Sequence, residues 1–270
     1  MYFEWQLLCK KKDVLKNQNF GILPVLFKVG NLEVSSYSFF VLLGIIVGVV
    51  VYYFENKKLN QLGGNTFLIA ICSVLGGVLG AKLLEWIVYW PFNESGNSLT
   101  NILINGKTII GGMLGGLIGS KSIKYYLGIK DKRGNQFAPA VALGLAVGRI
   151  GCFLHGCCYG KPTNLPWAVN FGDNVLRHPT QLYESIYCLI LFVSIIIIKK
   201  RINFKQGELF TYFLISYFVF RFFVEFIRTE KIIFLNLSAF QVIAIFSILY
   251  LSYNIYQLKR INYESKIKKV

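Results

Sequence analysis

Apolar runs long enough to cross a bilayer recur seven times along this chain of 270 residues. No other feature restricts its fold so severely. A helical span takes about 20 mainly apolar residues. The runs lie near 37–54, 67–91, 109–127, 137–154, 181–198, 209–227 and 237–257. The clearest end signal is Ile195-Ile196-Ile197-Ile198, cut off by Lys199-Lys200-Arg201. The fourth run is the weakest, being rich in Gly and Ala and carrying Arg149. The pattern predicts an all-α polytopic membrane protein with about seven transmembrane helices. Hydrophobic residues make up 54% of the chain, above the roughly 45–50% of soluble domains. No short, positively headed, cleavable signal precedes the first run, so the chain is expected to stay whole in the membrane.

The net charge of +16 would point to nucleic acid in a soluble protein. Here most Lys and Arg sit in short loops, where they set topology and touch anionic headgroups, and no nucleic acid is expected as a partner. Basic residues follow the first run (Lys57, Lys58), the third (Lys121, Lys124, Lys130, Lys132, Arg133) and the fifth (Lys199, Lys200, Arg201, Lys205). The loops at 92–107, 155–180 and 228–236 hold few. The positive-inside rule then places the C-terminus in the cytoplasm and the N-terminus outside. The basic Lys10-Lys11-Lys12 argues weakly the other way. The expected organisation is an N-terminal extracytoplasmic segment (1–36), one membrane domain (37–257) and a basic cytoplasmic tail (258–270).

Three constellations carry possible chemistry. Tyr217, Arg221, Glu225 and Arg228 are spaced four, four and three apart, which is one helix face. Charges in a span cost several kcal/mol each (about 2.5–3.5 on insertion scales), so by default they mark function. Two cations for one carboxylate leave positive charge to spare, which suits a phosphate; the bland reading is an Arg221–Glu225 structural pair with Arg228 snorkelling.

The second constellation runs from Gly148-Arg149-Ile150-Gly151-Cys152 to His155-Gly156-Cys157-Cys158-Tyr159-Gly160. Arg149 offers a planar fork for phosphate or carboxylate. His155 is one of two histidines and is a possible general base, or else structural. Adjacent cysteines are poor geometry for one tetrahedral ion, so no metal and no cofactor is expected. The thiols are either apolar packing or a reactive pair.

The third is Arg177-His178-Pro179-Thr180-Gln181-Leu182-Tyr183-Glu184, a helix start flanked by basic residues and so a natural anion site, or simply an interfacial anchor. In the third run Gly111, Gly115 and Gly119 recur at spacing four. They allow close helix packing or leave a bare face for an acyl chain.

The sequence resembles the bacterial prolipoprotein diacylglyceryl transferase family. The resemblance rests on Leu114-Gly115-Gly116-Leu117-Ile118-Gly119, on Gly148 through Gly160, on Arg177 through Glu184 and on Tyr217 through Arg228, and it runs from about Tyr37 to Gln241. It implies transfer of the diacylglyceryl group of phosphatidylglycerol to the lipobox cysteine of a prolipoprotein, at the outer face of the inner membrane. It implies Arg149 and Arg221 at the reaction centre, with Tyr37, Gly160, Tyr217 and Glu225 at other important positions. Together with the residue reading, the set is Arg149, Arg221 and His155 as catalytic residues. Tyr37, Gly160, Arg177, His178, Gln181, Tyr183, Glu184, Tyr217, Glu225 and Arg228 bind substrate. The chain departs from the family pattern at Leu114, Cys152 and Cys157, where a His or Tyr, an Asn and an acidic residue are usual. That leaves His155 and His178 as the only imidazoles. Alternatives are a related lipid transferase with another acceptor, a non-catalytic lipid-binding or transport protein, and a membrane thiol oxidoreductase resting on Cys157 or Cys158.

Overall fold

The structure, a computed structural model, describes residues 22–29, 32–60, 64–89, 108–129, 134–229, 232–234 and 237–267. Most of the expected N-terminal extracytoplasmic segment and the loop at 92–107 lie outside these residues. Among the described residues, seven helices carry the fold: α1 (Ser36–Lys58), α2 (Gly64–Tyr89), α3 (Ile109–Tyr126), α4 (Gly134–His155), α5 (Thr180–Arg201), α6 (Glu208–Val224) and α7 (Ala239–Ile267). Three short antiparallel pairs accompany them: β1 (Val25–Val29) with β2 (Leu32–Ser35) ahead of α1, β3 (Val169–Asn170) with β4 (Leu176–Arg177) between α4 and α5, and β5 (Ile232–Phe234) with β6 (Leu237–Ser238) between α6 and α7. The molecule is an all-α polytopic membrane protein. Six helices are long and apolar enough to span a bilayer, and the seventh, α3, is 18 residues long. The fourth run, the weakest in sequence, becomes α4, the most buried of the six spans.

The polarity of the helices is inside out relative to a soluble bundle. Exposed apolar residues recur at spacing four on α1 (Leu42, Ile46, Val50, Phe54), and α5 turns Ile186, Leu189, Ile190, Val193 and Ile197 outward. In water such faces would be a severe liability; in lipid they are the solvated surface. The interior holds Ala138, Ala142 and Ala146 of α4, Cys188 and Ile195 of α5, and Phe213, Leu214, Tyr217 and Phe218 of α6. Small side chains on α4 admit the bulky ring face of α6. The α4 stripe of alanines, read four residues at a time, leads on to Arg149 one turn later.

Glycine decides two helix pairings. A Cβ at Gly115 would lie 2.2 Å from the Gly76 carbonyl oxygen, and one at Gly80 would lie 2.4 Å from that of Gly111. The α2–α3 pair therefore packs backbone on backbone, and the glycine face is a packing seam rather than an open cleft. A second seam joins α1 to α4, where a Cβ at Gly44 would stand 2.6 Å from the Gly144 carbonyl oxygen. Because the obstructing atom at Gly115 is backbone, Gly115→Ala is expected to destabilise the chain by about 1–3 kcal/mol. Gly148→Ala, whose Cβ meets nothing within 4 Å, is expected to change stability by less than about 0.5 kcal/mol. Thermal unfolding of the two variants in detergent checks the contrast.

The two ends of the bundle differ in chemistry. At one end Glu55, buried near the end of α1, pairs with Lys58 at 3.0 Å and with Lys199 of α5. The other end gathers the start of α1, the end of α4, the start of α5, the end of α6 and the start of α7. Its loops are tied to the helices by backbone bonds from Leu23 N to Leu154 O (2.8 Å) and from Lys161 N to Ile227 O (2.7 Å).

Candidate active site

At this second end, five charged side chains meet inside the protein. Arg149 comes from the last turns of α4, Glu184 from the second turn of α5, and Arg221 from the end of α6. Beyond Val224 the helix tightens into a 3₁₀ turn over Glu225–Ile227, which brings Glu225 and Arg228 back toward Arg221. None of the five is more than 8% exposed. Buried carboxylates and guanidinium groups persist only when paired, and the pairing here is continuous. Arg149 Nη2 lies 2.7 Å from Glu184 Oε2, and Arg221 Nη1 lies 3.6 Å from the same oxygen. The Tyr217 hydroxyl donates to Glu184 Oε1 at 2.6 Å. Arg221 Nη2 and Arg228 Nε stand 3.1 and 3.7 Å from Glu225 Oε2. Glu184 thus bridges α4 and α6 from α5, at the N-terminal end of its helix where the dipole favours an anion. Arg149, at the C-terminal end of α4, is favoured in the same way.

Three guanidinium groups face two carboxylates, so the cluster holds one cation in excess. Its donors are not used up. Among the described residues, the buried Nε atoms of Arg149 and Arg221 make no hydrogen bond. Buried donors are nearly always satisfied, and these two leave hydrogen-bonding capacity within the cluster that its own carboxylates do not take up. The group such a site suits is planar or tetrahedral oxyanion chemistry, carboxylate or phosphate.

The remaining expected site residues fall into three sets. Gly160 and Gln181 adjoin the cluster through its loop: Gln181 Nε2 donates to the Cys157 carbonyl at 2.6 Å, and Gly160 N donates to the His178 carbonyl at 2.9 Å. A Cβ at Gly160 would lie 2.6 Å from the Ile227 oxygen and 2.8 Å from the His178 Cβ, so glycine lets two loops cross there. Tyr37 and His155 form a ring pair with centroids 6.0 Å apart, at the last residue of the helix that carries Arg149. Arg177, His178 and Tyr183 form a separate outer group. Arg177 is held by Asp173 (2.5 Å) and lies 4.9 Å from the centre of the Tyr159 ring. His178 Nδ1 is 3.3 Å from the Tyr183 hydroxyl, which accepts from Trp167 Nε1 at 2.7 Å.

Two participants escaped sequence reasoning. Ser238 donates through Oγ to Glu225 Oε1 at 3.2 Å, and Gln241 Nε2 donates to the Phe222 carbonyl at 3.3 Å. The two also cap α7 reciprocally: Ser238 N donates to Gln241 Oε1 (2.8 Å) and Gln241 N to Ser238 Oγ (3.3 Å). Ser-x-x-Gln before an apolar run is the signature of that capping box, so the signal stood in the sequence. Ser238→Ala is expected to lower stability by about 1–2 kcal/mol through the lost cap and to weaken whatever activity the cluster carries by loosening Glu225. Ser238→Thr should retain both, and melting curves with initial rates check it.

A bundle of lipid-facing helices closing over a buried, cation-rich cluster defines a polytopic membrane protein with a charged site inside one end of its bundle. The model of the prolipoprotein diacylglyceryl transferase family matches residues 24–256, and the chain belongs to that family. Among its relatives, the phosphatidylglycerol–prolipoprotein diacylglyceryl transferase of Clostridium tetani is 36% identical over 219 residues, covering 77% of this chain and 86% of the relative. The protein of the same name from Finegoldia magna is 31% identical, with 82% and 90% covered, and that from Dehalococcoides mccartyi is 32% identical, with 82% and 88% covered.

Proposed function

We propose that this transferase moves the diacylglyceryl group of phosphatidylglycerol onto the lipobox cysteine of a prolipoprotein. The reaction takes place at the outer face of a bacterial inner membrane, with the N-terminus outside and the C-terminus in the cytoplasm. The observation that carries the proposal is the pair of buried, unsatisfied guanidinium donors in a cluster with one surplus positive charge. A lipid phosphodiester is the anion that a membrane-embedded cation site of this kind can hold.

In the reaction the lipobox thiolate attacks the glyceryl carbon that carries the phosphate. The C–S bond forms, the C–O bond breaks, and glycerol phosphate departs with an extra negative charge. Arg149 and Arg221 hold the phosphate and stabilise the charge that grows on it, in a site screened from water. Glu184 and Tyr217 fix Arg149 and Arg221 in place; Glu225 and Arg228 extend the clamp. Gly160 and Gln181 shape the loop above the phosphate. His155, beside Tyr37, takes the thiol proton. Arg177, His178 and Tyr183 meet the headgroup or the incoming peptide from the outer loop. His155→Ala should accordingly slow transfer about a hundredfold or more, whereas His178→Ala should stay within about tenfold of wild type; initial rates with saturating lipid decide between them.

The direct test uses purified protein in detergent, phosphatidylglycerol labelled in its acyl chains, and a lipobox peptide. Label should appear on the peptide cysteine and be absent from a peptide with Ser in its place. No label with either peptide, under conditions where a Clostridium tetani relative labels the first, would refute the proposal.

A further inference from the structure

Three cysteines, Cys152, Cys157 and Cys158, meet at the edge of the arginine cluster, and all are free thiols. Arg149 Nη1 donates to Cys152 Sγ at 3.7 Å, and Cys157 Sγ donates to the Cys152 carbonyl at 3.6 Å. The three thiols are close enough to act electrostatically on one another. The segment between them doubles back, with Cys157 N donating to Cys152 O at 3.1 Å, so that Cys158 follows directly on a residue bonded to Cys152.

The backbone of the same segment is wired to the cluster. The Cys158 carbonyl accepts from Thr180 Oγ1 at 2.7 Å and from Arg228 Nη1 at 3.5 Å. The Cys157 carbonyl takes the Gln181 amide, as described. Cys158 sits at φ +64°, the left-handed region that side-chain-bearing residues seldom adopt. Such a conformation is held by its surroundings and is sensitive to a change at the sulfur.

We propose that Cys152, Cys157 and Cys158 form a thiol-modification site for low-molecular-weight disulfides, in which a Cys152–Cys158 disulfide switches the arginine cluster off. The Cys158 thiolate attacks one sulfur of the small disulfide and expels one thiolate. Cys152 then loses its proton and attacks the Cys158 sulfur of the mixed disulfide, expelling the second. The small disulfide takes two electrons and leaves as two thiols, which carry the two protons. Cys157, whose thiol donates to the Cys152 carbonyl, holds the resolving residue in place. The Cys158 thiol is held well below the ordinary thiol range, chiefly by its neighbours Cys152 and then Cys157, with Arg228 and Arg149 adding to them. The Cys157 thiol is raised by the same neighbours, which fits a helper rather than a nucleophile. Once bonded, Cys152 Sγ no longer offers Arg149 its acceptor, and the shortened segment pulls the two carbonyls away from Arg228 and Gln181.

The switching half of this inference rests on the transfer reading above; the thiol half does not. The test treats the full-length protein in detergent with oxidised glutathione, removes the oxidant, and then adds lipid and peptide. Peptide mapping is expected to join Cys152 to Cys158, and transfer to fall by about tenfold or more, with recovery on adding reductant. Cys158→Ser, compared with its own untreated form, should lose less than about twofold. Absence of any disulfide at Cys158, or its presence with undiminished transfer, overturns the inference. If the reduced protein transfers nothing, the transfer reading fails by itself. Retention of phosphatidylglycerol by native mass spectrometry then decides the switch: a fall on oxidation supports it and unchanged retention overturns it.

Discussion

Glu184→Ala should be the most damaging single substitution in the molecule, abolishing transfer and costing about 3–5 kcal/mol of stability. The size follows from what the carboxylate holds. Glu184 is fully buried and is shared by Arg149, Arg221 and Tyr217, which come from two other helices. Removing it leaves two guanidinium groups facing one another inside the bundle with one acceptor fewer, and like charges in a low dielectric repel strongly. It also unties α5 from α4 and α6 where one carboxylate bonds to both. Glu184→Gln keeps the shape and one oxygen acceptor but loses the charge, so it should fall between wild type and alanine. Yield from membranes and thermal unfolding in detergent measure the loss; a Glu184→Ala protein with wild-type melting would show that the cluster does not hold the bundle together.

Arg149→Ala and Arg221→Ala should behave differently, losing transfer by about a thousandfold, equivalent to roughly 4 kcal/mol of transition-state stabilisation, while the chain still folds. The asymmetry is geometric. When Arg149 is absent, Glu184 keeps Arg221 and the Tyr217 hydroxyl; when Arg221 is absent, it keeps Arg149 and Tyr217, and Glu225 keeps Arg228 and Ser238. No carboxylate is left unpaired, but the cation that outnumbers the carboxylates is gone. Arg149→Lys preserves the charge without the planar fork, and should recover only part of the rate. Initial rates with phosphatidylglycerol and a lipobox peptide, normalised to folded protein, check the pair. Activity within tenfold of wild type for either alanine variant would remove that arginine from the reaction.

Much of the architecture could be read from the chain because the bilayer imposes a length and a polarity on each helix. Runs near 37–54 and 181–198 became α1 and α5 with ends only a few residues away. The spacing of Tyr217, Arg221, Glu225 and Arg228 anticipated a shared face, since charges in an apolar run must converge on partners. The sequence could not tell which helix supplied the partner. Glu184, whose place just after a helix start suggests an anion site, is the carboxylate that joins the two arginines. Arg177 and His178 looked equivalent to it in sequence, yet Asp173, Tyr159 and Tyr183 hold them in the loop before α5, away from the cluster. Two-way helix choices of this sort depend on tertiary packing, as did the glycines of α3, whose meaning rested on whether another helix lay against them. Ser238 and Gln241 were missed for a plainer reason: a capping box was legible, but its bond to Glu225 joins residues 13 apart in sequence.

Where the lipid phosphate sits decides whether the buried cluster is the reaction centre. The most direct measurement is an experimental structure of the full-length protein with phosphatidylglycerol bound. Phosphate oxygens are expected about 2.8 Å from guanidinium nitrogens of Arg149 and Arg221, using the Nε donors that Glu184 leaves unclaimed. A phosphate seated instead against Arg177 and His178 in the outer loop, with the buried cluster unchanged, would contradict it.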